Sequence, residues 1–229
     1  MIEHVYRRAA EARGVDAVIV ATDDARIVAA VERFGGIARM TSAAHRTGTD
    51  RVAEVAAALD CDILVNVQGD EPLIEPAMIE EALAPFAADP SINMTTLRKA
   101  IADPADSTNP HVVKVVCNRL GDALYFSRAP IPCQLKGQGT AYRHVGLYAY
   151  RRSFLLTLAG LPQTPLEVAE SLEQLRVLEH GFPIRAIETR FDSIGVDTPE
   201  DLVRVRQLLA QHAADVPGAA AGRTVTART

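Results

Sequence analysis

The sequence predicts an α/β fold in which helices cover a mostly parallel sheet. Two observations carry that prediction. Stretches with apolar residues at helical spacing alternate with short, unbroken aliphatic runs, the pattern expected of helix and sheet layers packed on one another. The middle of the chain, about 111–150, switches to strand-like segments around a turn, which adds an antiparallel insertion to that sheet.

In order, Ile2, Val5, Tyr6, Ala9 and Ala10 recur at helical spacing, and Gly14 ends that first helix. Ala17–Ala21 (AVIVA) reads as a buried strand. Ile27, Val28, Val31 and Phe34 line a second helix, stopped by Gly35-Gly36. Asp50 is the expected cap of a third helix carrying Val52, Val55, Ala56 and Leu59. Ile63–Val67 (ILVNV) reads as the next buried strand, and a helix follows from Pro76, with Pro85 expected to limit its length. Met94–Arg98 is a further strand. HVVKVVC (111–117) and ALYFS (123–127) flank Asn118-Arg119-Leu120-Gly121 as a hairpin. In RHVGLYAY (143–150), alternation sets His144, Gly146, Tyr148 and Tyr150 on one face and Val145, Leu147 and Ala149 on the other. Thr164-Pro165-Leu166-Glu167 has the form of a capping box opening a helix that runs to about His180, with Gly181 as its stop. Thr198-Pro199-Glu200-Asp201 opens the last helix in a similar way. A single domain thus spans 1–211, and 212–229 lacks a periodic apolar face and is expected to be a disordered tail.

With 229 residues, 48% of them apolar, the chain can bury a sizeable core. No run approaches the roughly 18 apolar residues of a membrane span, and Met1-Ile2-Glu3-His4 does not open a signal peptide. The expected setting is cytoplasmic. A net charge of −5 argues against nucleic-acid binding. Cys61, Cys117 and Cys133 form no CxxC pair, which argues against a zinc or redox motif.

Four segments could carry chemistry. Asp70, in NVQGDEP (66–72), follows the carboxyl end of a buried strand, where open α/β sheets bind ligands. It suits a hard cation such as Mg²⁺, and the same residues also make a good turn. Asp197, in GVDTPED, is either a helix-terminus device or a second carboxylate sharing that cation. HRTGTDR (45–51) offers hydroxyls, amides and two guanidinium groups before a helix, suited to a nucleotide or to a capped polar loop. His144 and Tyr148 share a face, and Arg128 could hold a sugar carboxylate. Glu173 and Gln174 would, on pattern alone, lie on a solvated helix face.

Taken together and in order, NVQGDEP, HRTGTDR, LYFSRAPIP, RHVGLYAY, LEQLRVL and GVDTPEDL resemble the 3-deoxy-manno-octulosonate (Kdo) cytidylyltransferases, from about Ile2 to the helix after Asp197. LEQLRVL with RHVGLYAY points to the Kdo branch rather than the sialic acid branch. The resemblance implies a three-layer, Rossmann-like nucleotidyltransferase sheet and a reaction of CTP with Kdo giving CMP-Kdo, for lipopolysaccharide synthesis, and pyrophosphate. It implies a Mg²⁺ ion on Asp70 and Asp197. Gln68, Arg128, His144, Tyr148, Glu173 and Gln174 would surround the sugar, and Thr22, Asp23, Gly48, Thr49, Asp50 and Arg51 would face the cytidine side. It also implies a homodimer built through the insertion.

The chain departs from the family in one respect. The first helix has no strand before it, whereas parallel strands are joined by crossovers. Family members begin with a strand and a loop resembling IPARxxSxRLPGKPL, which cradles the triphosphate. Roughly one βα unit, about 30 residues with the first strand among them, is expected to be missing, leaving the chain poorly stable and little active. Two competing readings are a cytidylyltransferase for another acidic sugar (8-amino-Kdo or sialic acid) and a non-catalytic remnant.

Overall fold

The computed structural model describes residues 1–45, 47–136, 139–196 and 198–215, the last five as backbone alone. Asp197 and Arg46 therefore lie outside the described residues, as does the tail from 216.

The elements run α1 (Ile2–Glu11), β1 (Ile19–Thr22), α2 (Ala25–Arg33), β2 (Ile37–Met40), α3 (Gly48–Ala57), β3 (Ile63–Asn66), α4 (Pro76–Ala88), β4 (Met94–Ala100), α5 (Pro104–Thr108), β5 (Lys114–Cys117), β6 (Ala123–Ser127), β7 (Tyr142–Arg151), α6 (Arg152–Ala159), α7 (Pro165–Glu170), α8 (Gln174–Glu179), β8 (Arg185–Glu188) and α9 (Pro199–Asp215). β4 and β8 are parallel, and β3 shares their direction because both β3 and β4 pair antiparallel with β7. The insertion thus supplies the central strand of the six-stranded sheet, and β5 and β6 extend it as a hairpin edge.

Alternation along β7 divides the core in two. Val145, Leu147 and Ala149 pack with Val5, Ala9, Ile79 and Ala82 of α1 and α4. Tyr150, with Tyr148 against it, joins Ala53, Phe154, Leu155 and Leu175 from α3, α6 and α8. The sheet is therefore covered on both faces, the three-layer arrangement. Leu97 and Leu147 are fully buried, and truncating such a side chain to alanine costs about 2–5 kcal/mol.

β1 and β2 form a separate parallel pair. Among the described residues β1 pairs only with β2, and β3 only with β7. The free edges of β1 and β3 both open onto a cavity of about 1180 Å³, which Val5 and Leu83 bound on one face and Val52 and Val55 on the other.

Several elements differ from expectation, each for a physical reason. Thr47, not Asp50, caps α3: its hydroxyl accepts the Asp50 amide at 3.1 Å. α4 runs through Pro85 to Ala88. The helix expected from Thr164 to His180 is two helices, because Ser171 adopts a left-handed φ of 53°. α9 continues to Asp215, past the expected start of the tail at 212. The short strands β2 and β8 and the helices α5 and α6 carry too little periodic signal to be read from the sequence.

Candidate active site

At the capping box read from Thr164 and Glu167, the Glu167 carboxylate accepts the Thr164 amide at 3.2 Å, while the Glu167 amide donates to Glu179. Glu167 does more than cap. Its carboxylate takes the Arg176 guanidinium in a fork, Nε to Oε2 at 2.8 Å and Nη2 to Oε1 at 2.5 Å, with both side chains buried. This pair locks α7 against α8 across the Ser171 break. The break brings both Glu173 and Gln174 to a cleft of about 440 Å³: Gln174 is buried there, while Glu173 keeps the exposure that pattern alone gave it.

Gln68, Arg128, Tyr148, Glu173 and Gln174 line that cleft together, with Gly48 and Thr49 on the nucleotide side. Gln174 is 5% exposed, and its side-chain Nε2 has no partner. A buried amide donor without a partner is costly, so this group is suited to a ligand. Arg128 is held by backbone carbonyls. Its Nε donates to Glu170 O at 2.8 Å, Nη1 to Pro110 O at 3.0 Å and Nη2 to Ser171 O at 3.4 Å. One N–H on each η nitrogen remains, enough for a bidentate carboxylate contact.

Glu173 is open to solvent at the cleft mouth, and its carboxyl accepts the Thr49 hydroxyl at 2.9 Å. Desolvation raises its pKa against the opposing hydrogen bonds from Thr49 and Thr47. The first turn of α3 and the start of α8 are thus joined directly. Burial also pushes the Tyr148 hydroxyl well above the usual phenol range, so it stays a neutral donor.

His144 shares the face of Tyr148, their rings 5.4 Å apart, but it does not line the cleft. Its Nε2 meets the Thr96 hydroxyl at 2.9 Å, and that hydroxyl donates to Leu147 O at 2.9 Å. The register slip between Thr96 and Leu97 brings Thr96 to this point. Burial, then the nearby Arg143, pushes the imidazole pKa down to about 3. His144 is a neutral support behind Tyr148.

Among the residues expected on the cytidine side, Arg51 pairs with Asp23 at 3.1 Å and donates to the Thr41 hydroxyl at 2.6 Å. The Thr22 hydroxyl accepts the Asp24 amide at 3.1 Å. The end of β1 is thereby tied to the first turn of α3, which also carries Asp50.

No ion pair or hydrogen bond involves the Asp70 carboxylate among the described residues, and its backbone oxygen accepts the Val196 amide at 3.0 Å. Ser193 donates to Glu71 at 2.7 Å. The segment that leads into Asp197 therefore adjoins Asp70. The described residues hold no cluster of three or more potential metal ligands, and a half-buried carboxylate fits a hard cation that keeps waters and substrate phosphates.

Residues 1–189 match the family model described as Cytidylyltransferase. The chain belongs to the cytidylyltransferase family. Within that family, it is 58% identical over 223 residues to the 3-deoxy-manno-octulosonate cytidylyltransferase of Geobacter metallireducens, covering 92% of this chain and 88% of the relative. The enzyme of the same name from Solibacter usitatus is 53% identical, covering 91% and 83%. A solved CMP:2-keto-3-deoxy-manno-octonic acid synthetase complexed with CTP superposes with a TM-score of 0.89 at 47% identity, covering 92% and 88%. A 4-diphosphocytidyl-2C-methyl-D-erythritol synthase from Anaerococcus prevotii, at 13% identity and TM-score 0.60, shares the fold alone.

Lys114, Thr96, Glu170 and Arg176 are site residues that the sequence reading missed. A lysine inside the apolar run HVVKVVC was the one available signal.

Proposed function

We propose that this cytidylyltransferase moves CMP from CTP to the anomeric hydroxyl of Kdo, giving CMP-Kdo and pyrophosphate. The carrying observation is the unpartnered, buried Gln174 amide in a cleft shared with Arg128. That wall suits a hydroxylated sugar with a carboxylate. The relatives' names support Kdo over 8-amino-Kdo or sialic acid, and argue against a non-catalytic remnant.

The anomeric oxygen attacks the α-phosphorus of CTP in line. The oxygen–phosphorus bond forms as the bond to the β-phosphate bridge breaks, and pyrophosphate leaves with that electron pair. Arg128 fixes the sugar carboxylate, while Gln68, Tyr148, Glu173 and Gln174 orient its hydroxyls. Thr22, Asp23 and the turn from Gly48 to Arg51 hold the cytidine side. Asp70 and Asp197 would hold Mg²⁺, which when bound neutralises phosphate charge and acidifies the attacking hydroxyl. Holding both reactants in one geometry supplies much of the remaining acceleration.

The reading also includes a cytoplasmic setting. No helix among the described residues is long and apolar enough to cross a membrane. It includes a homodimer through the insertion, supported by the exposed Leu120, Leu124 and Leu135 there, the last 88% exposed.

The test compares CTP-dependent pyrophosphate release with Kdo, 8-amino-Kdo and sialic acid. It uses the chain alone and the chain carrying the family's strand-and-loop segment ahead of Met1. Kdo should give the highest kcat/KM in whichever form turns over. A higher value for another sugar, or no binding of Kdo by either form, overturns the reading.

A further inference from the structure

We propose that Lys114 and Glu170 form a positioning pair that aims Arg128 into the sugar cleft, an inference that rests on Arg128 being the carboxylate contact. Lys114 is fully buried in β5. Its ammonium donates to three backbone carbonyls: Val112 O at 2.6 Å, Asn109 O at 2.9 Å and Arg128 O at 2.6 Å. Glu170, the last residue of α7, takes the Arg128 amide at 2.8 Å and the Ser127 hydroxyl at 2.6 Å on its carboxylate. The two peptide groups flanking the Arg128 Cα are therefore held by opposite charges, the amide by Glu170 and the carbonyl by Lys114.

The side chain of Arg128 is held by the same elements. Its Nε donates to the backbone oxygen of Glu170, and Nη1 to the oxygen of Pro110. Pro110 sits between Asn109 and Val112, the other two carbonyl partners of Lys114. Lys114 thus fixes Arg128 twice, at its own carbonyl and through the turn that receives Nη1. A flexible arginine must lose rotamer freedom to grip a carboxylate, and here that ordering is completed during folding.

The charges are stable in these roles. Burial works to raise the Glu170 pKa, but hydrogen bonds from Ser127, the Arg128 amide and Tyr125 outweigh it and leave it lowered. Burial lowers the Lys114 pKa, while the field of Glu170 opposes that loss. A lysine buried in a strand with only carbonyl partners is poor value for stability alone, since desolvating a charge is expensive.

The experiment measures equilibrium binding of Kdo and of CTP separately, by calorimetry, to the full chain and to Glu170→Gln, Lys114→Met, Arg128→Ala and the Glu170→Gln/Arg128→Ala double variant. Melting temperature is recorded for each. Glu170→Gln keeps the side-chain size and one acceptor oxygen, and should weaken Kdo binding about tenfold, the effect of a hydrogen bond to a charged group. CTP affinity should stay within about twofold, well inside the roughly 1.4 kcal/mol of a tenfold change. Added to Arg128→Ala, Glu170→Gln should bring no further loss, because both act through one contact. Equal weakening of Kdo and CTP, or additive losses in the double variant, would reduce Glu170 to a structural residue and overturn the proposal. If Arg128→Ala alone leaves Kdo binding intact, the carboxylate assignment itself fails. If Arg128→Ala weakens binding and Glu170→Gln does not, only the positioning claim fails. Should Lys114→Met not fold, Glu170→Gln and the double variant decide.

Discussion

Replacing Glu167 by glutamine should destabilise the protein by about 3–5 kcal/mol, the loss on breaking a buried ion pair from one side. The structure places this pair at the severe end of that scale. Side-chain exposures are 3% for Glu167 and 7% for Arg176, the contact is a two-point fork, and Glu167 also accepts the Thr164 amide at 3.2 Å. The neutral amide removes the bonded counter-charge of the buried Arg176, leaving only the weaker fields of Asp50 and Glu173. A Glu167→Met/Arg176→Met double variant removes both charges and should recover most of the loss. The pH response has a definite sign. Burial acts to raise the Glu167 pKa, yet the Arg176 contact and the Thr164 amide lower it overall. A depressed carboxyl stabilises the fold above its ordinary value of 4.5, and that contribution drains away as the pH falls through the folded value. Urea unfolding at pH 7 and pH 4 measures both effects: the single variant should lose most at pH 7 and less at pH 4. A loss below about 1 kcal/mol at pH 7, typical of an exposed pair, would refute the argument that this fork locks α7 to α8.

Two other outcomes are expected. The His144 imidazole, with its pKa near 3 when folded against 6.5 for an ordinary imidazole, resists protonation. The unfolded chain gains a proton first, so stability should fall by up to about 1.4 kcal/mol per pH unit below 6.5. That slope should be shallower in His144→Phe; identical slopes in urea titrations would discount the effect. Leu124→Asp, at a site 62% exposed on β6, should give a monomer by light scattering while shifting stability by no more than about 0.5 kcal/mol. A dimeric variant would place the interface elsewhere.

Both the layers and the family were legible because they rest on local signals. Aliphatic runs and capping residues specify strands and helix starts within a few positions, and the motifs around Asp70, Arg128 and Glu173 are contiguous. Geometry that depends on one backbone angle was not. A periodic pattern from Pro165 to His180 fits one helix, and only the left-handed Ser171 shows why Gln174 is buried in the cleft and Glu173 lines its open side. The polar supports were hidden for a related reason. Thr96 meets His144 across 48 residues, Thr49 meets Glu173 across 124, and Arg128 meets Glu170 across 42.

The Thr49 contact has a consequence for how the two substrates communicate. Thr49 stands in the first turn of α3, whose Arg51 is tied to Asp23 at the end of β1. Glu173 stands at the start of α8, beside the Gln174 that faces the sugar cleft. Under the proposed assignment, one hydrogen bond of 2.9 Å therefore links the nucleotide-side element to the sugar-side element. A movement of α3 on nucleotide binding would act on the Glu173 carboxyl directly, and through it on the sugar hydroxyls. The coupling available to one such bond is about 0.5–1.5 kcal/mol, enough to change sugar affinity several-fold with no larger rearrangement of the sheet.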